Sequence, residues 1–128
     1  MILLDTSFLI DLLRGDERVL NFLEELSEPI LTSISLFELL SYPNLKKEEK
    51  NVIERIFGTY QVYHFDEAAA RSASEIAKRL SKLGKKINVV DIMIAGIAIS
   101  KGINRIVTAD KDFEIIGAIA DIEVHIYR

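Results

Sequence analysis

Asp5 closes a short apolar run, Ile2-Leu3-Leu4, and is followed at once by the hydroxyls of Thr6 and Ser7. A carboxylate at the end of a buried strand is a candidate for chemistry. It is equally the ordinary N-cap of a helix leaving that strand, because Asp, Thr and Ser all accept hydrogen bonds from a first helical turn. The two readings separate on whether other carboxylates reach the same place. Glu38 lies about one turn into the helical pattern that follows Ile30-Leu31-Thr32, Asp91 opens the apolar stretch Val89–Ile99, and Asp110 directly follows Arg105-Ile106-Val107-Thr108, with Asp112 two residues on.

In open parallel sheets ligands bind beyond the carboxyl ends of the strands. Asp5 and Asp110 belong to that edge by position, and Glu38 starts from it. Asp91 joins them by parity: a helix that feeds the next parallel strand runs antiparallel to it, so its N-terminus lies at the carboxyl edge. Each acid keeps a structural alternative. Ser35-Leu36-Phe37-Glu38 and Asn88-Val89-Val90-Asp91 resemble capping boxes, and Asp110 suits a turn cap. Taken together, four independent caps have no reason to gather at one crevice. Clustered carboxylates repel each other and lose solvation, so such a cluster persists where cations neutralise it. Oxygen-only donors favour a hard ion, Mg²⁺ or Mn²⁺, and such a site suits phosphoryl chemistry.

The elements that must position these residues follow from periodicity. Strands are expected at Ile2–Leu4, Ile30–Thr32, Gln61–Phe65, Arg105–Thr108 and Ile122–Tyr127, and helices at Phe8–Leu13, Glu17–Leu26, Ser33–Tyr42, Lys46–Phe57, Glu67–Leu83 and Asn88–Lys101. Asp16 is placed to cap the second helix, Gly58 to close the fourth and Gly84 the fifth. Strands separated by helices imply an α/β domain with a mostly parallel sheet covered on both faces, and the first three crossovers each carry two helices.

With 128 residues, 49% of them hydrophobic, the chain suits one domain spanning 1–128. The absence of cysteine excludes disulfides and thiolate metal sites and suits a reducing compartment. No run approaches a membrane span, and Met1 leads into the first strand without a basic-then-apolar leader, so a cytoplasmic location away from membranes is expected. The net charge of −4 argues against indiscriminate coating of nucleic acid, but a cation-holding acid cluster itself makes a chain acidic, so charge does not choose the partner.

Leu4-Asp5-Thr6-Ser7, Ser33-Ile34-Ser35-Leu36-Phe37-Glu38-Leu39, Asp91-Ile92-Met93-Ile94-Ala95-Gly96-Ile97-Ala98 and Thr108-Ala109-Asp110-Lys111-Asp112-Phe113 together resemble the PIN domain family, in particular its VapC-type toxins, over essentially the whole chain. The resemblance implies a five-stranded parallel sheet of order 3-2-1-4-5, frequent homodimers, and a Mg²⁺- or Mn²⁺-dependent ribonuclease paired with a small antitoxin protein. It matches Asp5, Glu38, Asp91 and Asp110 to the metal-binding catalytic acids and Asp112 to an auxiliary one.

Ser7 and Thr108 border the expected site, either bonding toward a ligand or capping. Arg14, Lys85 and Lys86 come from loops suited to flank an RNA backbone, against a plain solvated role. His64 and His125 lie inside expected strands and are assigned no ligand role, and Tyr60, Tyr63 and Tyr127 suit strand and core positions more than base stacking. The main rival is a phosphoacceptor signalling domain, since Asp66 follows the third strand. It lacks the adjacent acid pair after the first strand and the lysine ending the fifth. A PIN-like domain that binds RNA or a partner without cutting is a further alternative.

Overall fold

The structure is a computed structural model and describes residues 1–128. Its chain order is β1 (Ile2–Leu4), α1 (Thr6–Leu13), α2 (Glu17–Glu25), β2 (Pro29–Thr32), α3 (Ser33–Leu40), α4 (Lys47–Thr59), β3 (Gln61–Tyr63), α5 (Glu67–Lys82), α6 (Val89–Ser100), β4 (Arg105–Thr108), α7 (Asp112–Ala120) and β5 (Glu123–Ile126). The strands form one sheet of order β3-β2-β1-β4-β5 with every neighbouring pair parallel. The α/β class, the strand order and the doubled helices of the first three crossovers are as expected from sequence.

Alternation along the short strands divides the core in two, because successive side chains leave a strand on opposite faces. Leu3, Ile30 and Ile106 join one cluster with Ile76 and Leu80 of α5, Ile94 and Ala98 of α6, and Phe113 and Ile116 of α7. Ile2, Leu4, Leu31 and Val107 face the other way, against Phe8 and Leu9 of α1, Val19 and Leu23 of α2, Leu39 of α3 and Ile53 of α4. Both faces are therefore covered, which is why the central strands read as continuous apolar runs.

Three local expectations are corrected. Gly58 does not close α4, which continues through it to Thr59 and turns into β3 at Tyr60. The third strand stops at Tyr63, so His64 and Phe65 belong to the link into α5. A helix absent from the sequence reading, α7, follows Asp110; it reads poorly because Gly117 interrupts it. That glycine is needed where it stands, since a Cβ there would lie 2.7 Å from the Ile122 carbonyl oxygen and from Val124 Cγ2 of the strand beneath. Gly96 plays the same part between α5 and α6, where a Cβ would meet the Ala69 carbonyl oxygen at 2.6 Å and Ala73 Cβ at 2.7 Å. The close approach sets the position of α6, and so of Asp91. No helix is long and apolar enough to cross a membrane.

Candidate active site

Helix caps in this chain are made by residues other than the four acids. The Asp16 carboxylate accepts from the Arg18 and Val19 amides, the Thr32 hydroxyl from Ser35, the Asp66 carboxylate from Ala69 and the Asn88 side chain from Val90. Asp5 stands at the N-cap position of α1 but makes no side-chain capping bond. Its carboxylate turns instead to two hydroxyls, accepting from Thr108 Oγ1 at 2.7 Å and Ser7 Oγ at 3.1 Å. Neither capping box exists: α3 is capped by Thr32, with Ser35 fully buried in its first turn, and Glu38 accepts from Thr6 Oγ1 at 2.6 Å. Asp91 sits in the first turn of α6 with one carboxylate oxygen, Oδ2, buried and without any hydrogen-bond partner. Asp110 makes a local backbone bond, its Oδ1 accepting from the Asp112 amide at 2.9 Å.

Three of the five acids come close together. Oxygens of Asp91, Asp110 and Asp112 lie within 4.8 Å of one another, an acidic cluster of the size that can hold a cation. Asp5 and Glu38 stand outside that tightest trio but within electrostatic reach of it. Burial pushes the Asp91 carboxyl up to about 8, and the nearby Asp5, Asp110 and Glu38 carboxylates add to the shift. Burial also raises Asp5, against the opposing hydrogen bonds of Thr108, the Thr6 backbone and Ser7, and raises Glu38, with Thr6 opposing and the Asp5 charge adding. A buried carboxylate oxygen surrounded by other acids is costly unless a proton or a cation completes it.

The hydroxyls hold the acids from behind. Thr6 Oγ1 also lies 2.8 Å from Ser35 Oγ, which in turn accepts from Thr32 Oγ1 at 3.4 Å, so a buried polar chain links α1, β2 and α3. Thr108 Oγ1 accepts from the Asp110 amide at 2.9 Å while donating to Asp5, tying the two strand ends together. Ser7 Oγ accepts from the Ala109 amide at 3.0 Å. From sequence, Thr6 and Ser35 are possible caps and Thr32 the end of a strand, and none of them is assigned to the site. Their signal is a run of hydroxyls at two strand ends, and caps carry the same signal.

Asp66 is taken up by α5 and by Lys101 at 3.4 Å, which removes the phosphoacceptor rival's key residue. His64 is exposed, and His125 packs against Phe22 with ring centroids 5.1 Å apart. Tyr60 and Tyr63 pack against the two cores, and the Tyr63 ring lies 5.5 Å from Lys101 Nζ. Lys85 and Lys86 are exposed ahead of α6, and exposed Arg14 stands 4.0 Å from Asp11.

Residues 2–119 match the PIN domain. Over 94 residues the chain is 35% identical to Ribonuclease VapC3 of Methanocaldococcus jannaschii, covering 73% of this chain and 94% of the relative. It is 32% identical over 93 residues to the tRNA(fMet)-specific endonuclease VapC of Shigella flexneri, covering 70% of each. Among solved structures, FitAcB from Neisseria gonorrhoeae superposes with a TM-score of 0.76 at 26% identity, covering 98% of this chain and 96% of that one. The fold is also that of VapBC2 from Rickettsia felis bound to a promoter DNA fragment, with a TM-score of 0.84 at 22% identity over 98% of both chains. With its sheet order, its doubled crossovers and its acids on one edge, the chain belongs to the PIN domain family, in the VapC-type branch.

Proposed function

We propose that this protein is an endoribonuclease of the VapC type that hydrolyses RNA phosphodiester bonds with a divalent ion, Mg²⁺ or Mn²⁺, held by Asp5, Glu38, Asp91 and Asp110 and assisted by Asp112. The observation that carries the reading is the buried, unpartnered Asp91 Oδ2 beside Asp110 and Asp112. A donor set of carboxylates without thiolate or imidazole fits a hard cation. Such an ion supplies shielding of the phosphodiester charge and a lowered pKa for the attacking water. The chain's own residues supply the frame: Thr108 and Ser7 orient Asp5, Thr6 orients Glu38, and Thr108 also holds the Asp110 backbone. Lys85 and Lys86, just ahead of α6, offer positive charge to the RNA backbone.

The decisive experiment is cleavage of single-stranded RNA by purified protein with Mg²⁺ or Mn²⁺. Asp5→Asn and Asp91→Asn are expected to abolish cleavage while leaving the circular dichroism spectrum intact, and products are expected to carry 5′-phosphates. Cleavage unchanged in both variants would remove the catalytic assignment. Binding of RNA without cutting in the wild type would move the protein to a non-catalytic PIN-like module.

The VapC relatives and VapBC complexes support a cognate antitoxin as partner of this chain, with the protein acting in the cytoplasm as the toxin of such a pair. A groove of about 350 Å³ lined by Ile10, Leu13, Leu39, Leu45 and Ile53 offers an apolar seat for a partner segment. Co-purification with the product of a small neighbouring gene is expected, and the absence of any such gene would count against the pairing. Homodimers follow from the family resemblance and are read by light scattering.

A further inference from the structure

Asp11 is a buried carboxylate with no place in the acid cluster, only 6% exposed on the inner side of α1. Its Oδ2 accepts from the Tyr127 hydroxyl at 2.6 Å and from Arg128 Nε at 2.7 Å, which brings the residues beyond β5 back onto the first helix. The same Tyr127 hydroxyl lies 3.0 Å from the Ser7 carbonyl oxygen, so its single proton is shared between Asp11 and the backbone at the start of α1. The Tyr127 ring is held edge-on to Phe8, centroids 5.2 Å apart and planes at 80°. Ser7 is the residue whose Oγ donates to Asp5 and accepts from the Ala109 amide.

We infer that Tyr127, anchored by Asp11 and Arg128, is a positioning residue for the active site: it holds the Ser7 backbone so that the Ser7 hydroxyl meets Asp5. The inference rests on Asp5 being a metal-holding acid. A carbonyl in the first turn of a helix already accepts from the amide four residues on, so α1 folds without the Tyr127 bond. What the extra donor adds is direction. It fixes the peptide plane at Ser7, and with it the line along which Oγ approaches Asp5. Residues that orient a metal-holding side chain from behind typically alter metal affinity or activity by about 10- to 100-fold, and one step further back the effect is expected to be smaller.

Tyr127→Phe deletes one oxygen and keeps the ring against Phe8. Its Mn²⁺ affinity, read from the electron paramagnetic resonance signal of free Mn²⁺, is expected to weaken by about three- to tenfold, with kcat falling in the same proportion and KM unchanged. In a Ser7→Ala background the same substitution is expected to cause no further loss, because the path to Asp5 is already cut. Asp11→Asn, which weakens the hydroxyl's anchor without touching the ring, should move affinity and kcat the same way by a smaller factor. It carries the test if Tyr127→Phe does not fold. Wild-type Mn²⁺ affinity in the folded variants, with only thermal stability lowered, would overturn the inference, as would losses that add fully to those of Ser7→Ala. Wild-type protein that neither binds Mn²⁺ nor cuts RNA would instead overturn the metal-site reading, and the inference with it.

Discussion

Thr6 Oγ1 donates a 2.6 Å hydrogen bond to Glu38 Oε1, joining the residue after Asp5 to an acid 32 positions away on α3. The bond crosses between adjacent strand ends and is only 7% exposed at Thr6. It sets one rotamer for a side chain that would otherwise swing into solvent. Thr6→Val keeps the volume and deletes the donor, leaving Ser35 Oγ with one fewer partner. The variant is expected to lose about 1–2 kcal/mol of stability in denaturant titration. RNA cleavage is expected to fall by about tenfold as Glu38 loses its orientation.

The acid cluster also predicts how the metal-free protein responds to pH. Asp91 is pushed up to about 8 in the folded protein, from an unfolded value of 3.8, so between those values the native state holds a proton that the unfolded chain has released. Stability of the metal-free protein therefore falls as pH rises from about 4 to about 8 and levels off above, the raised Asp5 and Glu38 acting in the same direction. Asp91→Asn is expected to flatten the slope and to exceed the wild type in melting temperature at pH 8 without metal. A melting temperature that rises across this window in the wild type would contradict the cluster's electrostatics.

Divalent cations should reverse that penalty. Mn²⁺ at 100 times its dissociation constant is expected to stabilise the wild type by about 2.7 kcal/mol if the unfolded chain does not bind it. Asp91→Asn and Asp5→Asn are expected to show little of this gain, and a chelator should both abolish it and stop RNA cleavage. Thermal shift measurements over a Mn²⁺ series read the difference.

Packing behind the site is as demanding as the site. Gly96→Ala places a methyl group against the Ala69 carbonyl oxygen and the Ala73 backbone, where α5 and α6 touch. Forcing the helices apart is expected to cost about 1–3 kcal/mol. Because Asp91 rides on α6, cleavage should fall by more than the loss of folded fraction explains. Activity corrected for folded protein is the measurement that separates the two effects.

Much of this protein is legible in its sequence because the signals are local. Alternation of apolar strands with helical patterns, stops such as Gly84, and parity along the chain were enough to bring Asp5, Glu38, Asp91 and Asp110 to one edge. The end of α4 was misplaced because a glycine within a helix and a glycine ending one look alike in sequence, and α7 was missed because Gly117 breaks its pattern. The acids themselves carried a deeper ambiguity. A capping carboxylate and one held for chemistry have the same neighbours along the chain.

Tertiary structure supplies partners that no local reading shows: Thr108 for Asp5 across 103 positions, Thr6 for Glu38, and Tyr127 for Ser7 across 120. Those pairings depend on the strand order that sets β1 between β2 and β4, and on a hydroxyl reaching within about 3 Å. The sequence by itself determined every element but α7, to within a few residues, and the edge from which the acids start, because both follow from periodicities of two and 3.6 residues. Which oxygen each acid turns toward, and that Asp91 Oδ2 has none, was settled only when the sheet brought its strand ends together.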